Sequence, residues 1–369
     1  METSILPDDK DPFTFEISLS VLNHLGRNLY RNFITVLGEA ISNSWDADAN
    51  NVWITIDRKT STFTIKDDGR GMTANDFQSK FLKIGYSKRK DGRQKSENGR
   101  PFIGAKGIGK LALLSCAEQI SIYSKTKNTE YIGGVIDNRG LDEAITQDLI
   151  PDEYPLGQFD LKPIIKLTAG HDQGTIIHFR NTKDYLKNSD VLLKKLLALT
   201  FRFSLLDNDF KIYLNDSLVT IEDLKDLTYR TQFCWQINQF EDEFTNRFTN
   251  LKKVPIDLSL ALNIKGFLAT VEKPRYLKIT DTDERVTLDL FVNGRLREKN
   301  ILRHIPTASI VESYLYGQIH FNEMDKPIEI GQLYDDPFTT SREGIKEDDK
   351  NFNKLLDVLK RKIIRQVFD

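Results

Sequence analysis

The sequence predicts an α+β protein with helices on one face of a mostly antiparallel sheet. Three observations lead there: a long amphipathic helix pattern near the N-terminus, alternating apolar runs that pair as strands directly after it, and further strand runs and helices along the rest of the chain. Residues 28–49 place Phe33, Leu37, Ala40, Ile41 and Ser44 on one helix side and Glu39, Asn43 and Asp46 on the other. Val52, Ile54 and Ile56 then alternate with polar partners, Arg58 to Ser61 turn the chain, and Phe63 and Ile65 alternate again. That strand pair ends at Asp67-Asp68-Gly69-Arg70-Gly71-Met72, and Thr73 is placed as the N-cap of a helix through Phe77, Phe81 and Leu82.

The polar, glycine-bearing stretch Ser87 to Arg100 has the composition of a mobile loop, and long loops beside a ligand site are often lids. A helix over Lys110 to Glu118 follows, then strands at Ile120 to Tyr123, Tyr131 to Ile136 and Thr175 to Phe179, a helix over Ser189 to Leu206 and a strand at Phe210 to Leu214. Further along, strands fall at Ile264 to Val271, Val286 to Val292 and Leu315 to Phe321, and Asn293-Gly294 favours a hairpin turn. Asn351 to Phe368 reads as a Lys/Arg-rich amphipathic helix. Ending there suggests a docking tail or a chain whose further C-terminal domains have been cut away. At 369 residues two domains are expected, 1–225 and 226–369, although no Pro/Gly/Ser linker marks the join.

Composition narrows the function classes. With 52 Lys+Arg against 54 Asp+Glu there is no global basic field of the kind that declares a nucleic-acid binder, which leaves only local patches such as Lys88-Arg89-Lys90 or the Lys360 to Arg365 run. The two cysteines, Cys116 and Cys234, have neither metal-ligand nor CxxC spacing, so a disulfide framework or zinc site is not expected and a reducing cytoplasm fits. The polar N-terminus carries no leader pattern and no apolar run is long enough to span a membrane.

The chemistry concentrates in four short pieces. Glu39, Asn43 and Asp46 are spaced i, i+4, i+7 on one helix stripe, where a carboxylate can orient or deprotonate an attacking water and an amide oxygen can ligate magnesium. The bland alternative is a solvated polar face. Asp67 and Asp68 stand at a sharp turn with Gly69 and Gly71, where a carboxylate acceptor suits an exocyclic amino group; a plain strand-to-helix turn is the alternative. Gly104-Ala105-Lys106-Gly107-Ile108-Gly109-Lys110 opens a helix whose backbone N–H groups can close on phosphates. It matches GxxxxGK, but Leu111 stands where a P-loop needs Ser or Thr and no apolar strand immediately precedes it. A purely structural helix start is the other alternative. Gly174-Thr175 opens a β-branched strand, and its hydroxyl can join a polar network around a base. Together these pieces read as an ATP site.

In residues, order and intervals they resemble the GHKL ATPases: gyrase B subunits, heat-shock-ninety chaperones, sensor histidine kinases, MutL repair proteins and the MORC group. The resemblance covers about the first 210 residues. It implies a Bergerat-type ATP-binding α/β sandwich, with Glu39 as general base, Asn43 as magnesium ligand and Asp46 beside them. It also implies that Asp67 contacts the adenine amino group, that Met72 packs on the base, and that Gly69, Gly71, Gly104, Gly107, Gly109 and Thr175 complete the pocket. Lys106, Ile108 and Lys110 are further candidates at the phosphates. Asp68 stands where many relatives carry Asn or Thr, which leaves open which acid reads adenine.

The second half looks like a transducer (ribosomal S5-like) domain. Phe291-Val292-Asn293-Gly294-Arg295 is similar to a strand-turn of MutL-like transducers, and Thr340-Ser341-Arg342-Glu343-Gly344-Ile345 resembles the Ser-Arg-Glu loop of heat-shock-ninety proteins. That likeness implies Arg342 as a cross-domain γ-phosphate sensor, against the alternative of a surface arginine near a helix start. Glu39 argues against the histidine-kinase branch, as do the five histidines and the lack of a preceding dimerisation helix. The expectation is a cytoplasmic ATPase using ATP and Mg2+ as an ATP-dependent homodimeric clamp. It would be MORC- or MutL-like, with DNA or an effector protein as partner, in genome maintenance or anti-phage defence. A heat-shock-ninety-like chaperone and a non-hydrolysing nucleotide-sensing scaffold are the rival readings.

Overall fold

The computed structural model describes residues 33–84, 86, 95–103, 113, 116–140, 143, 156–182, 186–201, 209–248, 251, 253–259, 261–279, 284–305, 312–325, 337–338 and 344–364. The architecture is α+β, as the sequence predicts, and is built on two sheets. Helix α1, Phe33–Asp46, leads into β1, Asn51–Asp57, and β2, Thr62–Asp67. The two strands pair antiparallel with Ile54 opposite Ile65, because Val52, Ile54 and Ile56 must all face the core while the turn over 58–61 reverses the chain through Ser61 at positive φ. Strands β3, Gln119–Lys125, β4, Ile132–Asp137, and β5, Gly174–Arg180, join them. Helix α2, Asp190–Thr200, precedes β6, Lys211–Leu214, and β7, Ser217–Leu218. The order is β4-β3-β5-β2-β1-β6-β7, antiparallel except where β6 runs parallel to β1.

The second sheet has the order β12-β11-β13-β10-β8-β9. Its strands are β8, Thr231–Ile237, β9, Lys253–Ile256, β10, Lys265–Val271, β11, Leu288–Val292, β12, Arg295–Glu298, and β13, Leu315–His320. Asn293 and Gly294, both at positive φ, make the expected hairpin between β11 and β12. Helix α3, Lys350–Val358, continues as a wider π-helical turn through Ile364 and buries Phe352, Leu355, Leu359 and Ile363 against this sheet. One apolar cluster runs from α1 and the first sheet through Ile221, Leu224 and Leu227 to Cys234, Phe244, Phe267 and Tyr316 of the second.

Several elements differ from expectation. Helix α1 ends at Asp46 rather than 49, and 28–32 lie outside the described residues. Helix α2 stops at Thr200, with 202–206 likewise outside. Residues 116–118, predicted as the end of a helix, instead lead into β3: the Glu118 N–H donates to the Asn181 carbonyl, and the Glu118 carbonyl accepts from the Asn138 N–H. Strands β8 and β9 were not expected at all. Among the described residues no helix is long and apolar enough to cross a membrane.

Candidate active site

The predicted polar stripe of α1 is not a solvated face. Glu39 is 3% exposed and Asp46 is fully buried, so the helix is covered on both sides, and Asn43 is half-buried. Burying two carboxylates requires partners for them. Asp46 accepts the Ile103 N–H at 2.8 Å, which pins the segment just before the glycine run to the end of α1. Glu39 is ion-paired with Arg295 of β12. Arg100 reinforces the first junction: its guanidinium lies 4.7 Å from the Trp45 ring and bonds the Ala49 carbonyl. The C-terminal end of the stretch predicted as a lid is thus anchored, whereas 87–94 lie outside the described residues.

Asp67 closes β2 at the other wall of the site. Its Oδ2 accepts from the Ser44 hydroxyl at 3.0 Å, and its Oδ1 accepts from the N–H groups of Gly69 at 2.9 Å and Thr175 at 3.3 Å. Burial pushes the carboxyl up to about 6, against the pull of those three donors. Its neighbour differs. Asp68 accepts from the N–H groups of Asn50 and Asn51 and from the Asn51 amide, each at 2.7 Å. The two adjacent acids have separate work: Asp68 ties the start of β1, while Asp67 faces α1 and β5.

The glycines around Asp67 follow from close backbone contacts. Gly174, at φ +124°, comes so near that a Cβ would stand 2.0 Å from the Asp67 carbonyl oxygen. At Gly71, φ +68°, a Cβ would stand 1.9 Å from the Lys125 carbonyl oxygen. Ser124 of β3 binds the pieces together: its hydroxyl donates to the Gly174 carbonyl at 3.1 Å, accepts from the Met72 N–H at 3.0 Å and lies 3.0 Å from the Thr175 hydroxyl. Behind Asp67, His171 Nε2 lies 2.7 Å from the Asp67 carbonyl and Nδ1 2.7 Å from the Tyr131 hydroxyl.

The structure therefore brings together Glu39, Asn43, Asp46, Asp67, Gly69, Gly71, Met72 and Thr175. Gly104, Lys106, Gly107, Ile108, Gly109, Lys110 and Arg342 lie outside the described residues. Sequence reasoning gave no role to Ser44, Ser124, His171 or Arg295. Ser44 and Ser124 carry no motif signal; Arg295 stands in the quoted strand-turn, which was a usable cue.

A family model described as "Histidine kinase-, DNA gyrase B-, and HSP90-like ATPase" matches residues 30–142. Residues 30–142 thus carry a GHKL-type ATPase domain. The match spans α1, the Asp67 turn, β3 and β4; Gly174-Thr175 and the second sheet lie beyond it. A Herpetosiphon aurantiacus protein named "Putative type II restriction enzyme HgiDII" is 29% identical over 365 residues, which make up 96% of this chain and 56% of that protein. The chain thus spans little more than half the length of that relative.

The GHKL residues in place fit an adenine nucleotide with magnesium. Asp67 is a buried acceptor with two oxygens, one of which takes, among the described residues, the Ser44 hydroxyl as its donor and so keeps a lone pair for an amino group. Asn43 offers a neutral amide oxygen on a half-buried helix face, the kind of single protein ligand that magnesium combines with phosphate oxygens and water.

Proposed function

We propose that this chain binds and hydrolyses ATP and works as a nucleotide-gated dimeric clamp on DNA, in a restriction-type or other anti-phage system. The observation that carries the reading is the 3.0 Å bond from Ser44 to Asp67, which joins the adenine-type acceptor to the helix bearing Glu39 and Asn43. The name of the Herpetosiphon relative supports DNA as the partner. In this reading residues 1–225 form the nucleotide domain and 226–369 a transducer-like domain, in the cytoplasm.

Asp67 takes the adenine amino group, Met72 packs on the base, and Asn43 holds the metal, with Asp46 keeping the end of α1 and the Ile103 segment together. Gly104, Lys106, Gly107, Ile108, Gly109 and Lys110 surround the phosphates, and Arg342 senses the γ-phosphate. Magnesium-bound ATP supplies the phosphoryl group and the cation that balances its charge. Glu39 positions the attacking water.

A nucleotide-sensing scaffold without turnover is the second reading, favoured by the engagement of Glu39 in an ion pair. Measuring ATP turnover and oligomeric state with and without duplex DNA, and with a non-hydrolysable analogue, separates the two. Turnover that disappears in Glu39→Ala while ATP binding persists, with dimers and salt-sensitive DNA binding promoted by the analogue, is the expected result. Binding with no turnover in the wild type favours the scaffold, and absence of ATP binding overturns both.

A further inference from the structure

The ion pair between Glu39 and Arg295 joins helix α1 to β12 of the second sheet, and both side chains are largely out of water, 4% and 14% exposed. A pair in that position is not a screened surface contact; it persists until another group replaces one partner. Arg295 is held rigidly from behind. The turn before it is anchored by the Asn293 N–H donating to Asn322 Oδ1 at 2.8 Å and by the Asn293 amide donating to Asp325 Oδ2 at 2.9 Å. Two residues on stands Arg297, at a shift in the β11–β12 register. Its guanidinium lies 4.2 Å from the Phe338 ring and donates to the Ile103 carbonyl at 3.4 Å, while the Ile103 N–H bonds Asp46. One short strand thus reaches α1 directly at Glu39 and indirectly at Asp46.

The Arg295 fork is only half used. Nη2 engages Glu39 Oε1, whereas Nη1 is buried and has no hydrogen-bond partner among the described residues. A bidentate pair would be a fixed strut; a single-point contact can be exchanged by a small displacement of the hairpin. A carboxylate oxygen engaged by a guanidinium is also a poorer acceptor for a proton from water.

We propose that Arg295 is a positioning residue that restrains Glu39: the β11–β12 hairpin occupies the base, and hydrolysis waits on its withdrawal. This rests on Glu39 being the base of an ATPase, so the test separates the two ideas. Wild type, Arg295→Met, Arg295→Lys, Glu39→Gln and the Glu39→Gln/Arg295→Met double variant are compared for turnover at saturating magnesium-ATP and for urea stability without nucleotide. Arg295→Met should hydrolyse ATP faster, by on the order of fivefold to tenfold. Arg295→Lys should restore a rate near wild type, and the stability cycle should show coupling between the two positions.

A wild type that hydrolyses ATP beside an Arg295→Met variant that is no faster, or a cycle without coupling, overturns the restraint and leaves the ATPase reading intact. No turnover in any of the five proteins overturns the ATPase reading and the restraint with it. Should Arg295→Met not fold, Arg295→Gln carries the same comparison.

Discussion

The Ser44 hydroxyl donates to Asp67 Oδ2 at 3.0 Å, a buried bond that ties α1 to the end of β2. Ser44 also lies 3.1 Å from the Ala40 carbonyl, one turn back on the same helix. Because Asp67 is buried, losing one donor leaves part of a desolvated carboxylate unsatisfied. Ser44→Ala should destabilise the protein by about 2 kcal/mol and raise the Asp67 carboxyl further. Urea unfolding at neutral pH measures the first effect; a midpoint equal to wild type would count against the bond.

Asp67 and Asp289 make stability depend on pH. Burial raises each from an ordinary 3.8 to about 6, Asp289 despite bonds from the Thr287 hydroxyl and the Asn300 N–H. Since the folded value lies above the unfolded one, the stabilisation is fully present below the unfolded value and is lost as pH rises through the folded value. Each group accounts for up to about 3 kcal/mol between those limits. The stability of Asp67→Asn relative to wild type should therefore improve as pH is raised from about 4 to about 7. Parallel pH curves for the two proteins would refute the shift.

The two adjacent acids should separate cleanly. Asp68→Asn disturbs the three bonds that hold Asn50 and Asn51 and should lower stability with little effect on nucleotide affinity. Asp67→Asn presents an amide donor to the adenine amino group and should weaken ATP binding by at least on the order of tenfold. Calorimetric titration of both variants checks this, and equal losses of affinity would mean that Asp67 does not read the base.

Gly174→Ala should be far more costly than Gly170→Ala. Both positions have positive φ, but a Cβ at 174 would strike the Asp67 carbonyl, whereas at 170 it would meet nothing within 4 Å. The second substitution should cost about 1 kcal/mol and the first at least about 2 kcal/mol more, read as a difference in thermal unfolding. Similar losses at both positions would show that the backbone at 174 can move aside.

Much of the fold was legible because it rests on local rules. The period-two runs around Ile54 and Ile65, the Asn293-Gly294 turn and the Thr73 cap each declare themselves within a few residues. Strand β8 escaped because Thr231 and Cys234, on opposite parities, are both buried, which erases the alternation. Strand β9 escaped because Pro255 reads against a strand except at a sheet edge, which is where it lies. The polar stripe of α1 was legible on the helix, but whether it is solvated or covered was not: periodicity sorts residues by side and cannot tell what covers each side.

By itself the sequence determined the helix and strands that carry the motifs, the order of Glu39, Asn43, Asp67 and Thr175, and the family to which they point. Only the tertiary structure decided that Asp68 secures β1 while Asp67 faces α1 and β5, that Asp46 grips Ile103, and that Arg295 holds Glu39 from 256 positions away. The reason is physical: propensity and periodicity act over a few neighbouring residues. Burial, ion pairing and the orientation of a carboxylate depend on distances between segments that the chain itself keeps far apart.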